Sequence, residues 1–71
     1  MQSTKYLSKQ IDRLQESVGG IGELASTAGI DAGQIRSIIE GRIQNPPIRL
    51  LIKLAQAGGI TVDRLLERPE E

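Results

Sequence analysis

The stretch Ile21–Glu40, IGELASTAGIDAGQIRSIIE, decides the fold of this chain. Leu24 and Ala28 stand four residues apart, so they share one face of a predicted helix. Ala25 is small enough for a second helix to cross close over it. Gly29 can adopt the left-handed backbone conformation that a sharp turn between two helices often needs. The stretch therefore predicts two short helices, the first over about residues 21–28, joined by a tight turn.

The second helix of this pair is predicted over about residues 31–40. Asp31 is a favourable N-cap, and Gly41 is placed to end the helix. Ile35 and Ile38 lie three residues apart and fasten the helix to the core. Such a pair is a helix-turn-helix, whose second helix is typically presented to the major groove of DNA.

A further helix is predicted on the N-terminal side of this pair, over about residues 4–17. Ser3 or Thr4 can cap its start. Three glycines, at positions 19, 20 and 22, predict a turn after it. Apolar side chains recur along it at steps of four, three and four residues, which forms one helical stripe; they are Leu7, Ile11, Leu14 and Val18.

Two more helices are predicted on the C-terminal side. Asn45-Pro46-Pro47 interrupts helical structure, and Pro47 suits the first turn of a helix over about residues 48–57. Gly58-Gly59 ends that helix, and Thr61 caps a fifth. The apolar candidates on these two helices are Leu51, Ile52, Leu54 and Ala55, then Val62, Leu65 and Leu66. The predicted class is all-α, with five short helices in one domain at 1–68 and a C-terminal tail at 69–71.

The composition argues against several kinds of site. The 71 residues contain no cysteine and no histidine, which removes disulfides, Cys/His zinc sites, and the usual catalytic base and thiol nucleophile. We therefore expect no enzyme activity, no metal, no cofactor and no small-molecule substrate. The start does not resemble a signal peptide, and no apolar run approaches the length of a membrane span. We expect a cytoplasmic protein without membrane association.

The charge balance is unusual for a protein that binds nucleic acid. Nine basic and nine acidic side chains cancel, whereas such proteins usually carry a basic excess. Three of the acids, Glu67, Glu70 and Glu71, lie in the last five residues, so residues 1–66 carry a net charge of +2. This value permits DNA binding without indicating it.

Several motifs in order give the chain a family resemblance. They are ELASTAGI at 23–30, the Ile35 and Ile38 pair, Gly41, Asn45-Pro46, and LLIKLAQAGGITVDRLL at 50–66. The series resembles the Cro/CI-type helix-turn-helix domains of phage repressors and the related Xre-like bacterial regulators. The resemblance implies a lambda-repressor-like fold and double-stranded DNA as the partner.

The chain departs from the family's pattern at three positions. Family members often have Gln at the position of Ile21, where it touches a phosphate, and Glu at the position of Ile39, paired with an Arg. Here Ile39 is expected to meet Leu14 or Ile11 instead. Leu is common where this chain has Gly58, which predicts a thinner core near the end of helix 4.

The candidate base contacts lie on the outer face of helix 3. If Ile35 and Ile38 face the core, helical geometry turns Gly33, Arg36, Ser37 and Glu40 outward, with Ala32 and Gln34 at the flanks. The resemblance implies that Ala32, Gly33 and Ser37 meet base edges. Arg36 has a rigid fork suited to guanine, and Gln34 suits adenine. The alternative for Arg36 is a phosphate contact or an ordinary surface residue.

The candidate phosphate contacts come from two places. The free N–H groups at the start of helix 2, around Ile21 and Gly22, form an anion site, although the charge of Glu23 opposes it. Arg42, Gln44 and Asn45 follow helix 3 directly. Their alternative role is that of ordinary turn residues, and for Asn45 before a proline this is the favoured single role.

The leading hypothesis is a sequence-specific transcriptional regulator of the repressor type that acts as a homodimer. The apolar residues least obviously used in the core are assigned to the dimer contact: Ile43, Ile48, Ile60, Val62 and Leu66. The rival is a protein-interaction module of the same fold, such as an adaptor or antitoxin-like domain. A third possibility is the N-terminal domain of a longer repressor.

Overall fold

A computed structural model describes residues 6–69, which form five helices and no strand. The helices are α1 (Leu7–Ser17), α2 (Ile21–Ala28), α3 (Ala32–Ile39), α4 (Ile48–Gly58) and α5 (Val62–Leu66). The all-α class and the order of five helices are confirmed. α1 begins three residues later than predicted, and the caps predicted at Ser3 and Thr4 lie outside the described residues, as do the last two residues of the predicted tail. No helix within residues 6–69 is long and apolar enough to cross a membrane.

One aliphatic core joins all five helices. No polar or charged side chain of residues 6–69 is buried in it. Because the core contains no buried polar network, its stability comes from apolar burial and close packing. Its members are Leu7, Ile11, Leu14, Leu24, Ala25, Ile35, Ile38, Leu50, Leu51, Leu54, Ala55 and Leu65.

Ile52, one of the apolar candidates of the fourth helix, does not belong to this core. Its side chain is 41% exposed, whereas Leu50, which the sequence pattern did not single out, is buried. Successive residues turn about 100° round a helix, so a buried face that includes Leu50, Leu51 and Leu54 leaves Ile52 beyond its edge.

The turn between α2 and α3 is built as the sequence predicts. Gly29 has φ 71°, in the left-handed region, and its N–H donates to the carbonyl of Ala25 at 2.9 Å. The N–H of Ile30 reaches the same carbonyl at 3.1 Å. Asp31 then caps α3, because its Oδ1 accepts a hydrogen bond from the N–H of Gly33 at 2.9 Å. These bonds end one helix and start the next within three residues.

Helix α1 holds the other end of α3, and α5 lies away from the α2–α3 pair. The hydroxyl of Ser8 donates to the carbonyl of Ile39 at 2.9 Å, and the side chain of Ile39 is half-buried against the core. α5 packs against α1 and α4 and touches neither α2 nor α3. The side-chain amide of Gln10 donates to the carbonyl of Glu67 at 2.8 Å and ties the end of α5 to α1.

Gly58 is a close-packing position, so the prediction of a thinner core at the end of α4 is wrong. A Cβ atom on Gly58 would lie 2.2 Å from Cδ1 and 2.9 Å from Cγ of Leu14. The side chain of Leu14 therefore fills the space that a side chain at position 58 would occupy, and α1 packs closely against the end of α4 there.

Replacing Gly58 by Ala tests this packing. We expect Gly58→Ala to lower the free energy of unfolding by about 1–2 kcal/mol, because overpacking exceeds the gain in helix propensity. Gly22→Ala is the matched control, since a Cβ there would meet no atom within 4 Å. It should keep or raise the free energy of unfolding, by up to about 1 kcal/mol. Urea unfolding followed by circular dichroism measures both.

The same substitution in a Leu14→Ala background separates packing from propensity. With the clashing atoms of Leu14 removed, Gly58→Ala should no longer destabilise the protein. Equal stability of Gly58→Ala and Gly22→Ala in the parent chain would contradict the close contact.

Candidate nucleic-acid interface

The outer face of α3 is separated from the core by two fully buried isoleucines. Ile35 and Ile38 are 0% and 1% exposed. Arg36, between them, is exposed and makes no ion pair with another of residues 6–69. Its guanidinium is therefore held out by a rigid helix and keeps its hydrogen-bond donors for a ligand.

Small side chains flank this arginine on α3. Gln34 is exposed, whereas Ala32, Gly33 and Ser37 are half-buried. Ala32 also packs partly against the core. Three small residues on one side of a helix let another molecule approach the backbone closely, but they offer few donors or acceptors.

The start of α2 is open to an anion through its backbone. Gly20, with φ 124°, precedes the helix and gives it no side-chain cap. The first intrahelical bond comes from the N–H of Leu24 to the carbonyl of Gly20, at 3.0 Å, so the N–H groups before it have no helical acceptor. Ile21 is half-buried against the core and offers only this backbone group, whereas Gly22 is exposed with open space around it.

The loop after α3 folds back onto the end of that helix. The N–H groups of Arg42 and Ile43 both donate to the carbonyl of Ser37, at 2.9 and 3.2 Å. Pro46 is buried and anchors the far end of the loop. This arrangement keeps the loop beside α3 and leaves Gln44 and Asn45 exposed.

Arg42 already has a charged partner within the protein. Its guanidinium donates to the carboxylate of Glu40, and both side chains are exposed. An exposed ion pair of this kind is weak, and the other guanidinium donors of Arg42 face solvent. The pair nevertheless reduces the positive potential that the loop presents.

A comparison with solved structures places this architecture among known domains. The chain is similar to the N-terminal DNA binding domain of SinR from Bacillus subtilis, with 27% sequence identity and a TM-score of 0.83. The match covers 93% of this chain and 97% of that chain. The likeness confirms the predicted resemblance to Cro/CI-type helix-turn-helix domains, and the fold is that of a helix-turn-helix domain. No protein-family model and no curated protein matches the sequence.

The helix-turn-helix of this domain is itself slightly acidic. Residues 21–45 contain two basic side chains, Arg36 and Arg42, and three acidic ones, for a net charge of −1. The acids are Glu23, Asp31 and Glu40. The stretch as a whole therefore lacks the net positive charge that favours phosphate binding.

Sequence reasoning missed two basic residues that lie beside this face. Arg49 and Lys53 of α4 line a groove together with Gln34 of α3. The groove is completed by the turn residues 29–31, Pro47 and Leu50. The spacing of four residues could have shown that Arg49 and Lys53 share a face of α4, but their proximity to α3 depends on how α4 docks.

The residues assigned to a dimer contact differ in exposure. Four of them, Ile43, Ile60, Val62 and Leu66, are half-buried against the domain's own core. Ile48 is 59% exposed, and Ile52, one helical turn further on, is 41% exposed. The two form an exposed apolar pair on α4, which sequence reasoning identified only in part.

Proposed function

We propose that this domain is a sequence-specific DNA-binding transcriptional regulator of the phage or bacterial repressor type. The supporting observation is the complete burial of Ile35 and Ile38, which leaves the opposite face of α3 clear of the core. The likeness to the DNA binding domain of SinR adds support. In this proposal α3 enters the major groove of an operator half-site.

In this proposal the chemistry of each side chain determines which base it contacts. Arg36 makes the main one, a bidentate pair of hydrogen bonds to guanine, and Gln34 pairs with adenine. Ala32 contacts a thymine methyl, while Gly33 and Ser37 allow the close approach of α3 and add a hydroxyl. Few side chains read bases, so recognition depends strongly on the arginine.

The proposed phosphate contacts come from the first backbone N–H groups of α2 and from the loop after α3. The N–H groups of Ile21 and Gly22 point to one phosphate from the positive end of α2. Arg42, Gln44 and Asn45 contact the backbone beyond α3, with Arg42 turning from Glu40 to a phosphate. Such a contact replaces a weak exposed pair by a charge-assisted hydrogen bond.

Substitution of Arg36 tests this assignment. A duplex site is first selected from a random pool at two salt concentrations. On that duplex, Arg36→Ala should weaken binding by about 1–3 kcal/mol, or roughly 5- to 150-fold in Kd, measured by fluorescence anisotropy. Arg68→Ala is the control, because Arg68 follows α5, which touches neither α2 nor α3. Equal affinities of the two variants would remove Arg36 from base recognition.

We also propose that the regulator acts as a homodimer in the cytoplasm. Two copies would present their α3 helices about 34 Å apart, one turn of DNA. The exposed pair Ile48 and Ile52 supports a contact through α4. The other proposed contact residues, Ile43, Ile60, Val62 and Leu66, are half-buried and have part of their surface left for a partner.

Sedimentation equilibrium tests the dimer. The double variant Ile48→Ser/Ile52→Ser should raise the dimer dissociation constant about tenfold or more, because apolar surface is no longer buried on association. Gln56→Ser, at an exposed position one turn beyond Ile52, should leave it unchanged. A monomeric parent chain, or equal dissociation constants for parent and double variant, would contradict the proposed contact.

A second candidate function is a protein-interaction module, favoured by the net charge of −1 on residues 21–45 and by an apolar residue at Ile21. Salt discriminates between the two functions. DNA binding through several phosphates weakens steeply as salt rises, whereas an apolar protein interface does not.

A further inference from the structure

The charge deficit of the helix-turn-helix raises the question of what binds the DNA backbone. We propose that Arg49 and Lys53 of α4 form a phosphate clamp that grips the strand running past the first turn of α3. This inference rests on the proposed DNA binding and adds two contacts that lie outside the helix-turn-helix itself. Its basis is the groove in which both residues lie beside Gln34.

The two side chains are placed to act together. They are four residues apart on α4, so they lie on one face about 6 Å apart along the helix axis. Both residues are exposed, and the opposite face of α4, with Leu50 and Leu54, is buried. The packing of α4 therefore fixes the direction in which the basic pair extends.

Both cations are available for a ligand. Neither Arg49 nor Lys53 makes an ion pair with another of the described residues, 6–69. The acidic residue in the groove, Asp31, is engaged in capping α3 through the N–H of Gly33. Arg42 differs, since it is paired with Glu40. Extending the stretch from 21–45 to 21–53 changes its net charge from −1 to +1.

The position of the groove favours a phosphate over a base edge as the ligand. Gln34 is an exposed residue at the flank of the outer face of α3, and the basic pair lies across the groove from it on another helix. A duplex with α3 in its major groove has a backbone strand along each wall of that groove. The strand that passes Gln34 would meet Arg49 and Lys53. The clamp would therefore add affinity without adding sequence preference.

The double variant Arg49→Ala/Lys53→Ala tests the clamp in the intact chain. Its matched control is Arg64→Ala/Arg68→Ala, which removes the same charge with the same spacing from α5 and the segment after it. Binding to the selected duplex and to a random duplex is measured by anisotropy at about 50 and about 200 mM salt. Thermal unfolding by circular dichroism checks that each variant is folded, and Arg49→Gln/Lys53→Gln replaces the alanine pair if it is not.

The expected result is a similar loss of affinity for the selected and the random duplex. The clamp variant should weaken binding to both duplexes by a similar factor, and its salt slope should fall by about 2, with about 0.9 lost per phosphate contact. The ratio of Kd at the two salt concentrations would then fall about twelvefold, while the control keeps the parent ratio. A clamp variant with the parent slope, or one that loses only the selected duplex, would overturn the clamp. A parent chain without salt-sensitive DNA binding would overturn the proposed function as well.

Discussion

The close crossing of α2 and α3 is the constraint on which the rest of the structure depends. It needs a small residue at Ala25 and a left-handed turn at Gly29, where a residue with a Cβ atom would cost about 1–2 kcal/mol. Leu24 and Ile35 are both completely buried in the shared core. A core of this size rarely supplies more than about 3–5 kcal/mol of net stability. A substitution that disrupts the crossing would therefore remove a large part of the stability of the domain. Because the crossing fixes α3, it also fixes where Arg36 projects.

Local signals made much of this fold predictable. The bounds of α2, the caps at Asp31 and Thr61, and the glycine at the α2–α3 turn each follow from a few neighbouring residues, and the structure confirms them. The errors concern contacts between distant segments. Gly58 was misread because the atoms that fill its space belong to Leu14, on another helix. The exposure of Ile52 likewise depends on which side of α4 docks.

Less of the candidate site than of the fold was predictable from the sequence. The outward direction of Arg36 follows from the helical period once Ile35 and Ile38 are assigned to the core. The Arg42–Glu40 ion pair depends on how the loop folds back, which no sequence pattern specified. The groove that joins α4 to α3 requires the tertiary arrangement of three segments. The roles of these residues toward DNA remain predictions.

A titration of the isotopically labelled domain with the selected duplex, followed by backbone amide chemical shifts, tests the central claim most directly. If α3 enters the major groove and α2 points its first N–H groups to a phosphate, the largest shifts will fall in residues 32–37 and 21–23. Amides of α5 will change least, since that helix touches neither member of the pair. Shifts concentrated in α1 and α5, with α3 unperturbed, would contradict the account.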